Sequence, residues 1–159
     1  MSESSIESQP TLPQTLQPSA VYRILDANLD RAREGLRIVE EWCRFGLEDA
    51  QLTETCKQMR QELGGWHADR LREARDTPSD PGTALTHPQE ATRDNIEQVL
   101  QANLCRVQEA LRVLEEYGKL YDRQLGAACK QMRYQVYALE STLLYCQRHR
   151  QLRQSRLYL

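Results

Sequence analysis

Leu25-Asp-Ala-Asn-Leu-Asp-Arg-Ala-Arg-Glu-Gly-Leu-Arg-Ile-Val-Glu-Glu-Trp42 and Leu100-Gln-Ala-Asn-Leu-Cys-Arg-Val-Gln-Glu-Ala-Leu-Arg-Val-Leu-Glu-Glu-Tyr117 are two copies of one segment, 75 residues apart. Each is followed by the pentapeptide Cys-Lys-Gln-Met-Arg, at 56–60 and 129–133, now 73 residues apart. The repeating unit is therefore a pair of segments, and a duplicated pair implies two structural halves facing each other. In the first copy Leu25, Leu29, Ala32, Leu36, Val39 and Cys43 recur at steps of three and four, which places them on one helical stripe.

Working outward, the same periodicity predicts four helices. The first runs from Ala20 to Phe45, capped by Ser19 and stopped at Gly46. A second runs from about Asp49 to Arg75, with Leu52, Cys56, Met59, Leu63 and Trp66 or His67 inward and a bend at Gly64-Gly65. Thr-Pro, Asp-Pro-Gly and His-Pro mark residues 76–87 as a long loop. Pro88 opens the third helix, with Ile96, Leu100, Leu104, Val107, Leu111 and Leu114 inward, which ends near Gly118. The fourth spans about Arg123 to Arg150, with Leu125, Cys129, Met132, Val136, Leu139 and Leu143 on its stripe. The fold expected is all-α, an antiparallel four-helix bundle of two duplicated hairpins about a pseudo-twofold axis. Residues 1–18, rich in Ser, Gln and Pro, read as a disordered tail, 19–150 as the bundle, and 151–159 as a linker ending in an apolar, strand-favouring run, Leu157-Tyr158-Leu159.

Composition narrows the function. With 159 residues and 40% hydrophobic side chains the chain supports one small helical domain. A net charge of −2 argues against nonspecific nucleic-acid binding. No apolar run approaches the roughly 18 residues of a membrane span, and the N-terminus lacks the features of a secretory signal, so a cytoplasmic protein is expected. The five cysteines, with no Cys-x-x-Cys, read as reduced core thiols. His67, His87 and His149 share no metal spacing and read as surface or capping residues, apart from the inward alternative for His67.

Each copy carries Asn-x-x-Arg-x-x-Glu along the flank of its stripe: Asn28, Arg31 and Glu34, then Asn103, Arg106 and Glu109. Half-buried polar groups of this kind need partners. One reading gives them each other, as Arg-Glu pairs and amide bonds across the repeat interface. The other is a cleft where Arg31 and Arg106 hold an anion, their forks matching phosphate oxygens, and Asn28 or Asn103 reads an aminopyrimidine-like edge. Trp42 and Tyr117 would then stack on a ring or belong to the core. Lys57, Arg60, Lys130 and Arg133 offer further phosphate contacts, or form a solvated face. Glu40-Glu41 and Glu115-Glu116 read as solvent-facing or paired with Arg37 and Arg112. In the loop, Asp76 and Asp80 are candidate magnesium ligands, with Thr77, Ser79 and Thr83 as phosphate contacts. No phosphate-binding glycine loop or nucleophile elbow appears, and no catalytic residue is assigned.

The repeated segments 23–37 and 101–119, with Arg75 to Thr83 between them, resemble the N-terminal helical extension of cyanobacterial-type thiamine-phosphate synthases over about residues 20–159. In that family the extension precedes a barrel that joins hydroxymethylpyrimidine diphosphate to a thiazole phosphate, and Arg156-Leu-Tyr-Leu159 is similar to the entry into the barrel's first strand. The resemblance implies a role in thiamine biosynthesis, a synthase barrel as partner, and a proposed activity as an alternative hydroxymethylpyrimidine phosphate kinase using ATP and magnesium. The contrasting expectation is an interaction module, in which the bundle forms a homodimer or scaffolds the synthase.

Overall fold

The computed structural model describes residues 16–157. Helix α1 (Leu16–Glu41) passes directly into a π-helical turn at Trp42–Gly46, and α2 (Ala50–Trp66) returns alongside it. A short α3 (Asp69–Glu73) follows, then a loop holding a 3-10 turn at Pro88–Glu90. Helices α4 (Ile96–Gly118) and α5 (Arg123–Arg156) form the second hairpin. No strand occurs among the described residues, so the molecule is all-α.

The two stripes do what their periodicity predicts. Leu25, Leu29, Ala32, Leu36, Val39 and Cys43 of α1 and its π-turn are buried, and so are their equivalents Leu100, Leu104, Val107, Leu111, Leu114 and Gly118. Cys56, Met59 and Leu63 of α2 and Leu125, Cys129, Met132, Val136, Leu139 and Leu143 of α5 complete one continuous core. Burial at roughly 25 cal/mol per Å² makes this core the main source of stability.

Helices α1 and α4 form the central pair, with α2 against α1 and α5 against α4. The central pair is antiparallel: Trp42 shares a cavity with Asn95 and Ile96, Gly35 meets Asn103 and Val107, and the Tyr22 and Tyr121 rings lie 5.7 Å apart. At the crossing the backbones nearly touch. A Cβ on Gly35 would stand 2.6 Å from Val107 Cγ2 and 3.0 Å from the Asn103 carbonyl oxygen, so the absence of a side chain permits the approach.

The hairpin links explain the change of offset. Asp49 caps α2 by accepting from Leu52 N, and its equivalent Asp122 caps α5 by accepting from Gln124 N. Trp42 to Asp49 is two residues longer than Tyr117 to Asp122, and the π-turn accommodates that excess.

Several boundaries differ from expectation. The chain is already helical at Leu16, so Ser19 is an interior residue rather than a cap and residues 16–18 belong to α1; residues 1–15 of the expected tail lie outside the described residues. The expected second helix ends at Trp66, and the chain breaks at His67 and Ala68 before α3, because Gly64-Gly65 weakens its last turn. Pro88 opens only the 3-10 turn; α4 starts at Ile96, where Asn95 accepts from Gln98 N as a cap. That position leaves Ile96 41% exposed, not inward. Helix α5 continues through the expected linker to Arg156, Leu157 follows as its C-cap, and Tyr158 and Leu159 lie outside the described residues.

Candidate functional site

The first hairpin folds a loop back onto α1, and one arginine fastens it. Arg75 donates to both carboxylate oxygens of Asp26 at 2.7 and 2.8 Å and to Asp30 at 2.6 Å. Asp26, itself buried, also meets Nε2 of the fully buried His67 at 2.6 Å. Burial alone would raise the Asp26 carboxyl, but its bonds to Arg75 and His67 outweigh that effect and hold it below the usual carboxylate range. His67 is therefore not a surface residue: it C-caps α2, its N–H donating to the Gly64 carbonyl, and the break there turns its side chain inward against α1. Asp26, Asp30 and His67 are close enough to share a metal ion. The Arg75 guanidinium already engages both Asp26 oxygens and takes the place of such a cation.

Beyond Arg75 the loop turns on its own acidic side chains. Asp76 accepts from Ser79 N at 3.2 Å and Asp80 from Gly82 N at 2.8 Å, each through one oxygen. Arg23 donates to the Asp76 carbonyl. Between this loop and α1 lies a cavity of about 670 Å³ whose lining includes Asn28, Arg31, Glu34, Asp76, Thr77 and Asp80. These six residues, all singled out in the sequence, thus meet, although about forty residues separate the helix from the loop. Arg31 is exposed and forms no ion pair among the described residues. Asn28 is buried and its Nδ2 donates to the Ile24 carbonyl at 2.8 Å, which ties its amide to the preceding turn.

The second copy is arranged differently. Asn103 repeats the bond to its own helix, donating to the Val99 carbonyl at 2.8 Å. Arg106 lines two cavities, one with Cys105 and Glu109 and another with Arg33, Arg37 and Arg60, neither of which includes Arg31. The single pocket expected between both arginines does not form: Arg31 and Arg106 line different cavities, and the one that Arg106 shares with Arg33 and Arg60 lies between the repeats. Where α1 and α4 cross at Gly35 they pack backbone against backbone. The helical Arg31–Glu34 and Arg106–Glu109 pairs are also absent among the described residues; Glu109 instead faces the Cys105 thiol.

The repeated pentapeptide has a structural use. Arg60 meets Glu40 at 2.6 Å and Arg133 meets Glu115 at 2.8 Å, the same ion pair in both hairpins. Glu40 and Glu115 are consequently buried rather than solvent-facing, and each also lies near its own-helix arginine, Arg37 or Arg112. Burial raises the Glu115 carboxyl, but Arg133 and Arg112 together hold it below its usual value. Lys57 and Lys130 are exposed and line none of these cavities. Trp42 packs on the core at the far end of α1, under the Arg150 guanidinium, and Tyr117 is 42% exposed, so neither ring reaches Arg31.

Among the cysteines, Cys43, Cys56 and Cys129 are buried, and burial pushes the Cys129 thiol up to about 12. Cys105 is exposed and Cys146 half-buried, so the core reading fails for those two; all five are free.

Two helical hairpins, a backbone-close crossing and a loop locked over α1 define a small duplicated all-α protein with a polar site on one repeat. Residues 23–142 match the ThiD2 family, and the chain belongs to that family. It is 71% identical to a thiamine-phosphate synthase of Nostoc punctiforme over 87% of this chain and 40% of that protein. It is 65% identical to one of Synechocystis over 92% of this chain and 43% of the relative, and 54% identical to one of Gloeobacter violaceus over 91% and 42%. The chain thus spans about two fifths of the length of these curated relatives. No solved structure matches it. Among the described residues, no helix is long and apolar enough to cross a membrane.

Proposed function

We propose that this chain acts in thiamine biosynthesis by binding hydroxymethylpyrimidine phosphate in the cavity between α1 and the 75–80 loop, beside a thiamine-phosphate synthase barrel. The observation that supports the reading is the convergence of Arg31 with Asp76, Thr77 and Asp80 in one cavity. An exposed guanidinium without an acidic partner suits the phosphate, through paired charge-assisted hydrogen bonds. The Thr77 hydroxyl offers a further donor. Asn28, on the same cavity, presents its amide oxygen to an amino group on the ring.

In the kinase form of this reading, an oxygen of the bound monophosphate attacks the terminal phosphorus of ATP, and the bond to the departing ADP breaks. Arg31 orients the attacking phosphate and lowers its charge repulsion with the donor. Asp76 and Asp80 each retain one carboxylate oxygen, a hard donor set that suits magnesium. When bound there, the ion supplies neutralisation of phosphate charge. The Arg75 clasp on Asp26 and Asp30 keeps the loop in place while this occurs.

Titration calorimetry with hydroxymethylpyrimidine phosphate, and phosphorus NMR after addition of ATP and magnesium, test the reading on wild type and Arg31→Ala. Saturable binding lost in Arg31→Ala supports the site, and formation of diphosphate product supports the kinase. Absence of both binding and transfer overturns the ligand reading. A scaffold reading then gains from α5, where Tyr137, Leu144, Tyr145 and Leu152 are large apolar side chains left exposed along one helix.

A further inference from the structure

The two repeated Arg-Glu pairs differ in one atom. Arg133 reaches Glu115 through Nε at 3.1 Å as well as Nη2 at 2.8 Å, whereas Arg60 reaches Glu40 through Nη1 alone. The Arg60 Nε is buried without an acceptor, and so is the Nε of Arg33. At the position equivalent to Arg33 the second copy has Gln108, which donates to Glu140 at 2.6 Å. A buried donor with nothing to bond to is unfavourable, and two on neighbouring guanidinium groups call for a shared acceptor.

Arg33 and Arg60 line one cavity of about 560 Å³ with Arg37, Arg106, Asp30, Glu34 and Ile38. Its charge is unbalanced. Arg37 and Arg60 are offset by Glu40 and Glu41, and Asp30 is engaged by Arg75. Arg33 and Arg106 have no acidic partner among the described residues, and Glu34 alone remains to oppose them. Gly64 lies against the Arg33 guanidinium, where a Cβ would make ordinary contact 3.6 Å from Cζ, whereas the equivalent position in α5 carries the larger Tyr137.

We infer that this cavity between α1, α2 and α4 is an oxyanion site for a phosphate or diphosphate group, held by Arg33, Arg60 and Arg106. Guanidinium forks match such oxygens in geometry and charge. The site is separate from the loop cavity, with which it shares Asp30 and Glu34 as a dividing wall, and it does not depend on the pyrimidine reading. Arg106 of the second repeat completes it, and the equivalents of Arg60 and Arg33 offer no matching pair of open donors, since Arg133 and Gln108 are already satisfied.

The test is NMR of the arginine Nε–H groups during titration with inorganic phosphate, inorganic diphosphate and metal-free ATP at constant ionic strength. The Arg33 and Arg60 signals are expected to move together and to saturate. The affinity should fall at least tenfold in Arg33→Gln and in the exposed-site variant Arg106→Gln, and remain unchanged in Arg112→Gln. Saturation by phosphate identifies a free-phosphate site, and saturation only by diphosphate and ATP identifies a phosphate-chain site; both support the inference. Linear, unsaturated drift, or an equal loss in Arg112→Gln, overturns it.

Discussion

The two hairpins share their buried stripes, their capping aspartates and a buried Arg-Glu pair, yet they part company one turn after that pair. In the first, Gly64-Gly65 is followed by a break, His67 turns inward, and the chain continues as a loop that Arg75 fastens to Asp26 and Asp30. In the second, the equivalent residues are Tyr137 and Ala138, and α5 runs unbroken to Arg156. The positions matching Asp26, Asp30 and His67 carry Gln101, Cys105 and Glu140. The shared features hold the fold, and the differences build the loop and its cavity on one hairpin.

Substitutions made in equivalent pairs can break or sharpen this contrast. The largest effect is symmetric: Leu36→Ala and Leu111→Ala both remove fully buried side chains and should each cost about 2 to 5 kcal/mol in chemical denaturation. A tenfold disparity in cost would contradict equivalent cores. Next, Asp26→Ala strips Arg75 and buried His67 of their partner and should cost about 2 to 4 kcal/mol. Its exposed counterpart Gln101→Ala should stay within about 0.5 kcal/mol. Gly35→Ala forces a methyl into Val107 and the Asn103 carbonyl at the crossing, for about 1 to 3 kcal/mol. Ala110→Gly, at the equivalent position, should cost about 1 kcal/mol through helix propensity.

The smallest effect is in acid. Asp26 and Glu115 have folded-state values below their ordinary 3.8 and 4.5. A lowered carboxylate contributes stability that is complete above its unfolded value and is lost as pH falls through the folded one. Stability should therefore decline from about pH 4 downward. In Asp26→Asn that acid limb should be shallower, measured by urea midpoints across the range.

Much of this was legible beforehand. The periodic stripes located the long helices because burial of their apolar faces dominates the energetics, and Asn28, Arg31, Glu34, Asp76 and Asp80 were identified from repetition and turn composition. What the repeat concealed was the role of departures from it. Asp26 and Asp30 interrupt an otherwise copied segment, and that mismatch with Gln101 and Cys105 was the available signal for the Arg75 clasp. His67 was ambiguous because its burial depends on where α2 breaks, a tertiary outcome of two glycines. Arg60 and Arg133 were open to either a ligand-contact or a solvated-face reading, since their partners, Glu40 and Glu115, lie some twenty residues away on another helix. Arg31 and Arg106 line separate cavities, one against the loop and one between the repeats, a division that periodicity could not reveal.

The central claim is that a pyrimidine phosphate binds between α1 and the 75–80 loop of the first repeat. Amide NMR during titration with hydroxymethylpyrimidine phosphate tests it most directly: the largest perturbations should fall on 23–34 and 75–83, with the equivalent stretch 98–109 little changed. Perturbations of equal size on both repeats, or none on the loop, would contradict the account.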